Sequence, residues 1–170
     1  MKSKPEELMH ILRRLSLTTM AQHYEELGAE AAREGLCHVE YLRRLAEAEA
    51  AARFERSVQR RTQAARLPVL KTLEQFDWAW PKKINRAQVQ DLFRLRFIEQ
   101  NTNVVFIGGV GLGKTHFALA LAHSACLNNV PTLFAPAVEI VNTLSAEQAT
   151  HALPKALKAY VAPRLLVVDE

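Results

Sequence analysis

The run Gly108-Gly109-Val110-Gly111-Leu112-Gly113-Lys114-Thr115 has the spacing G-x-x-x-x-G-K-[ST], and each residue type in it has a chemical use. Glycines at 108, 109, 111 and 113 let the backbone bend closely enough for its N–H groups to surround an anion. Lys114 adds a point charge able to reach outer phosphates, and the Thr115 hydroxyl is a hard oxygen suited to Mg2+. The apolar run Val104-Val105-Phe106-Ile107 leads into the loop and a helical pattern leaves it. The helix N-terminus therefore adds its own positive end. A glycine-rich turn that binds nothing is the alternative, and the flanking strand and helix argue against it.

A second feature follows later in the chain, in Leu165-Leu166-Val167-Val168-Asp169-Glu170. On a strand leaving a sheet at its C-terminal edge, Asp169 is placed to hold magnesium, usually through water. Glu170 is then placed to polarise an attacking water as a general base, so that Lys114 and Glu170 are the expected catalytic pair. Taken alone, two acids after an apolar run also describe a solvated loop. Their order after the phosphate loop is what gives them weight.

Arg53, Arg56, Arg60, Arg61 and Arg66 form a basic run offset by Glu55. The first three are spaced to share one helix face, a track for DNA phosphates. A solvated helix face, with Glu47 and Glu49 nearby, is an equal reading. His116 and His123 are expected to make packing or polar contacts. Trp78 and Trp80 could stack on a base but are expected to pin a connector to its neighbour. Neither Cys37 nor Cys126 has an activating neighbour in sequence.

These groups need elements to position them. Ser3-Lys4-Pro5-Glu6 reads as a capping box before Leu8, Ile11, Leu12 and Leu15 at helical spacing. A second helix carries Met20, Tyr24 and Leu27, weakened by Gly28 and ended by Gly35. A third, from about His38 to Thr62, shows Val39, Leu42, Ala46, Ala50, Phe54 and Val58 as one apolar stripe. Residues 66–84 form a connector, and Asn85 with Gln88 opens another helix carrying Val89, Leu92, Phe93 and Phe97. Beyond Asn101, strands at Val104–Ile107, Thr132–Ala135 and Leu165–Val168 alternate with helices from Lys114 to about Asn128, at Val138–Leu144 and from Leu153-Pro154. Such alternation predicts an α/β fold with a parallel sheet covered on its faces. The expected layout is a helical domain over 1–65, the connector, and a nucleotide-binding core over 85–170.

The chain of 170 residues has 49% hydrophobic and 24% charged residues, which excludes a disordered or fibrous chain. Its charge is uneven. Residues 1–100 hold 18 Lys/Arg and 14 Asp/Glu, and the rest hold four of each, so the whole net charge of +4 lies in the helical part. The uncharged stretch from Thr115 to Val138 is broken by His116, His123, Pro131 and Pro136 and does not read as a membrane span. The first residues lack an apolar signal-peptide core, and two distant cysteines form neither a disulfide framework nor a zinc site. This balance points to a reduced, cytoplasmic protein without membrane contact.

Over essentially its full length the sequence resembles the ATP-binding helper proteins of IS21-type insertion sequences, relatives of helicase loaders and replication initiators of the AAA+ class. The resemblance rests on Leu15-Ser-Leu-Thr-Thr-Met-Ala, on Arg66-Leu-Pro-Val-Leu-Lys-Thr-Leu-Glu-Gln-Phe-Asp-Trp78, and on Asn103 to Ala118 across the phosphate loop. It implies an ATPase using Mg2+ that assembles as a homo-oligomer on duplex DNA, deforms it and directs a transposase. It also implies that the helical domain serves DNA contact and self-assembly, and that the core is the first half of an AAA+ three-layer α/β/α sheet. Members of the family continue beyond the point where this sequence stops, with an arginine finger and the strand that joins the Val104 and Leu165 strands. The expectation is therefore a fragment or truncated frame that binds ATP with weak or no turnover. A catalytically inactive DNA- or partner-binding module and a helicase-loader-like ATPase are the alternatives.

Overall fold

The computed structural model describes residues 4–79, 84–149 and 152–170. The chain divides into two compact units, residues 1–57 and 58–170, and the division falls inside a helix.

The first unit holds α1 (Lys4–Arg14), α2 (Thr18–Glu34) and most of α3 (His38–Ala64). Gly35 ends α2 in the left-handed conformation at φ +65°, with its N–H on Ala31 O, as the sequence predicts. Ser3 of the expected capping box lies outside the described residues. The start of α2 has no side-chain cap of its own, because Leu17 occupies the N-cap position. Its orphan N–H groups are met from α3: Glu49 Oε2 accepts from the N–H of Thr19 at 2.7 Å and of Met20 at 3.0 Å.

This bond corrects the expected orientation of α3. The face turned inward carries Leu45 and Glu49, both buried, whereas Val39, Leu42 and Phe54 of the apolar stripe are exposed. The stripe loses because α2 needs an acceptor at its N-terminus and Glu49 supplies one. Burying a carboxylate is tolerated where amides and guanidinium groups surround it. Burial works against the charged form of Glu49, but the Met20 amide, Arg53 and the Thr19 amide outweigh it and hold the carboxyl below its ordinary value.

The second unit holds the end of α3, the connector, α4 (Arg86–Leu92), α5 (Arg96–Glu99), α6 (Lys114–Leu127), β1 (Thr132–Pro136), α7 (Ala137–Ala149), α8 (Leu153–Val161) and β2 (Leu165–Asp169). Asn85 Oδ1 accepts from the Gln88 N–H and caps α4 as expected. The single helix predicted through Phe97 is broken, however, by Leu95 at φ +60°. That turn sends Leu95 and Ile98 into a core with Leu121 and Ala125. The helix α6 is buried along Phe117, Leu119, Ala120, Leu121, Ala122, Ala125 and Cys126, which is why its sequence is apolar nearly all round.

Among the described residues the sheet has two parallel strands, with Thr132 opposite Leu165 and Pro136 opposite Asp169. The outer edge of β1 is also met once, where the Phe134 N–H donates to Ala65 O at 2.8 Å. The predicted strand at Val104–Ile107 does not form. Its side chains alternate, with Val104 and Phe106 half-buried and Val105 and Ile107 exposed. No neighbouring segment among the described residues offers it a ladder, and a strand needs one. For the same reason β2, paired among the described residues on one edge alone, is half-buried and not the fully buried strand expected, with Val168 52% exposed. The expected α/β class stands as helices with a small parallel sheet.

Candidate nucleotide-binding site

The glycine-rich run turns into α6 at Gly113, whose φ is +84°, and Gly111 is also left-handed at +77°. These two positions are where a side chain would strain the backbone. The first helical bond, Phe117 N–H to Gly113 O at 2.9 Å, leaves the preceding N–H groups of the first turn without helical partners. Val110 is fully exposed at the tip, beside Gly108, Gly109 and Leu112. Lys114 Nζ donates to Gly109 O at 2.9 Å, so the ammonium lies over the loop that its own helix closes.

Asp169 is the last residue of β2, at the carboxyl end of the parallel strands, where ligands of open α/β sheets bind. The Thr115 hydroxyl donates to Asp169 Oδ1 at 3.3 Å across 54 residues of sequence. The two motifs thus meet in one place. Among the described residues no group of three or more His, Cys, Asp or Glu side chains gathers to hold a metal. A hydroxyl and one carboxylate are nevertheless hard oxygen donors of the kind Mg2+ uses when phosphates and water complete its shell, so the donor set fits that ion. Glu170 follows the strand and is exposed.

The connector packs beside this loop. Phe76 is buried with Val89 and Phe117, and Leu73, Trp78, Ile84, Phe93 and Phe106 surround them. His116 Nε2 donates to Thr72 O at 2.9 Å and His123 Nδ1 to Lys71 O at 3.3 Å. Both histidines thus make the polar contacts expected of them. Trp78 lies edge-on to Phe76 at 5.1 Å under the Arg86 guanidinium at 4.9 Å, and Trp80 lies outside the described residues. Phe76 is the member of this site that sequence reasoning missed. Its only local signal is an aromatic residue in a connector.

The five arginines differ in what they bind within each unit. Arg53 donates to Glu49 Oε1 at 3.0 Å and Ser16 O at 2.8 Å, and Arg56 to Thr18 Oγ1 at 2.6 Å and Glu49 Oε1 at 3.2 Å. Arg61 donates to Cys126 O at 2.9 Å and Asn129 Oδ1 at 2.6 Å. Arg60 is exposed, and Arg66 is an exposed side chain 3.9 Å from Glu139. Cys37 is exposed and Cys126 buried, and burial pushes the Cys126 thiol up, away from the reactive thiolate. No helix among the described residues is long and apolar enough to cross a membrane.

A glycine-rich loop at a helix N-terminus, faced by an aspartate at the carboxyl end of a parallel strand, is the arrangement of P-loop nucleotide-binding proteins. The chain belongs to the IstB-like ATP binding protein family, whose pattern its residues 10–170 match. It is 32% identical over its whole length to an ATP-binding protein of insertion sequence IS5376 from Geobacillus stearothermophilus, covering 66% of that relative. To an ATP-binding protein of insertion sequence IS21 from Pseudomonas aeruginosa it is 35% identical over 96% of this chain and 62% of that one. A relative from Bacillus thuringiensis subsp. berliner, of insertion sequence IS232, is 31% identical over the whole chain and is covered over 68% of its own length. The chain thus spans about two thirds of the length of these relatives.

Proposed function

We propose that residues 108–115 bind the phosphates of ATP, with Lys114 on the outer phosphates, Thr115 and Asp169 serving Mg2+, and Glu170 orienting water. The observation that carries this reading is the 3.3 Å approach of Thr115 to Asp169 at the N-terminus of α6. When bound, the ion neutralises phosphate charge. The chain's own part is to hold its hydroxyl and carboxylate side by side and to aim the helix N-terminus at the same point. The three-layer AAA+ arrangement is part of the same proposal.

The biological reading is an ATP-binding helper of DNA transposition that acts on duplex DNA with a transposase and as a homo-oligomer. The names of the relatives and the basic balance of residues 1–100 support it. Arg60 and Arg66 are the candidate phosphate contacts that the fold uses least.

The test measures ATP binding and hydrolysis by the 170-residue chain with and without duplex DNA, beside Lys114→Ala and Glu170→Gln. Binding lost in Lys114→Ala and kept in Glu170→Gln is the expected result. Binding indifferent to Lys114 would remove the reading. Hydrolysis undiminished in Glu170→Gln would remove the role given to Glu170.

A further inference from the structure

The phosphate loop is shaped from outside its own motif. A Cβ placed on Gly113 would lie 2.5 Å from Cε2 and 3.3 Å from Cζ of Phe76, and the three nearest atoms all belong to that ring. The ring therefore rests directly on the backbone of the last loop residue, at the position whose φ is +84°. It is held there firmly. Phe76 is 9% exposed, tilted against Phe117 at 4.2 Å, and flanked edge-on by Trp78 at 5.1 Å and His116 at 5.4 Å.

The segment that presents Phe76 is fastened to α6 by separate bonds. Carbonyl oxygens can only accept, so His116 Nε2 and His123 Nδ1 each carry the proton they give to Thr72 O and Lys71 O. Two residues two turns apart on α6 thus converge on adjacent carbonyls. Gln75 Oε1 accepts from the Thr72 N–H at 3.2 Å and stiffens the turn before Phe76. Loop end, first turn of α6 and connector form one packed assembly through Gly113, Phe117 and Phe76.

We infer that Phe76 is a positioning residue for the phosphate loop: its ring, seated on Gly113, holds the loop end in the left-handed conformation that presents the first-turn N–H groups to a nucleotide phosphate. The inference rests on the nucleotide-binding reading of residues 108–115. It adds that segment 71–78 belongs to the site. An aromatic residue that filled only core volume would share its role with Val89, which lies in the same cluster. A ring that sets the loop has an effect on affinity that Val89 lacks.

The experiment compares equilibrium binding of a fluorescent ATP analogue with Mg2+ by wild type, Phe76→Leu, Val89→Ala and Lys114→Ala, each with a thermal melt. Phe76→Leu is expected to weaken binding by about tenfold or more, and Val89→Ala by less than about twofold at a comparable loss of melting temperature. Phe76→Met, closer in volume, carries the same comparison if the leucine variant does not fold. Wild-type affinity in the folded Phe76 variant, or equal losses in the Phe76 and Val89 variants, overturns the inference while binding that depends on Lys114 leaves the nucleotide reading standing. Absence of saturable binding by wild type, or binding unaffected by Lys114→Ala, overturns both.

Discussion

Glu49 on α3 caps α2: one carboxylate oxygen accepts from the amides of Thr19 and Met20, while the other accepts from Arg53 and Arg56. Two elements distant in sequence are joined by a buried charge whose lone pairs are all addressed to donors. Replacing Glu49 by Ala removes an N-cap and leaves amides and guanidinium groups without their acceptor. The expected loss is about 1–3 kcal/mol, read from chemical denaturation followed by helical circular dichroism. Wild-type stability in that variant would mean that the cap is dispensable.

The same carboxylate gives a pH dependence whose sign is fixed. In the fold its pKa lies below the ordinary value of 4.5, so the unfolded chain binds the proton more readily. Its stabilisation is complete above about pH 4.5 and fades as the pH falls through the lowered folded value. Glu49→Gln is therefore expected to be less stable than wild type at pH 7, with the gap closing below about pH 4. A gap that widens on acidification would contradict the geometry.

Arg61 and Arg60 are neighbours in sequence with different duties. Arg61 is half-buried and ties Cys126 O and Asn129 Oδ1, where Asn129 turns the chain at φ +63° between α6 and β1. Arg61→Ala is expected to cost about 1.5–3 kcal/mol, as for hydrogen bonds from a charged group, and Arg60→Ala less than about 0.5 kcal/mol. If duplex DNA binds through Arg60 and Arg66, replacing both reduces the slope of log affinity against log salt by about 2, with the melting temperature unchanged. Titrations at several salt concentrations separate that loss from one caused by unfolding.

Local chemistry was legible in the sequence wherever a residue's role depends on its near neighbours. Gly35 stops α2, Asn85 caps α4, and the loop from Gly108 to Thr115 lies between an apolar run and a helix because its spacing allows little else. Asp169 beside Thr115 was legible from order along the chain. Contacts set by tertiary packing were not. Burial of Glu49 reverses the rule that charge faces solvent, and it turns the Val39 and Leu42 stripe outward. Phe76 on Gly113 has no periodic signal, because a single ring meeting a backbone atom across the fold leaves no repeat to read.

The segment before the loop offers the sharpest contrast between pattern and structure. Leu133, Phe134 and Ala135 are buried in β1, which pairs with β2 and meets Ala65 at its other edge. Val105 and Ile107 have equally strand-like side chains, but they are 75% and 92% exposed and, among the described residues, no backbone bond holds their amides. Opening β1 requires breaking a ladder and exposing apolar surface, whereas opening residues 104–107 requires neither. Amide exchange is therefore expected to be slower in β1 by about a hundredfold or more, equivalent to roughly 3 kcal/mol of local opening free energy. Mass-spectrometric exchange on peptides covering 103–107 and 132–136 measures the difference, and equal protection would show that the segment has found a ladder partner in solution.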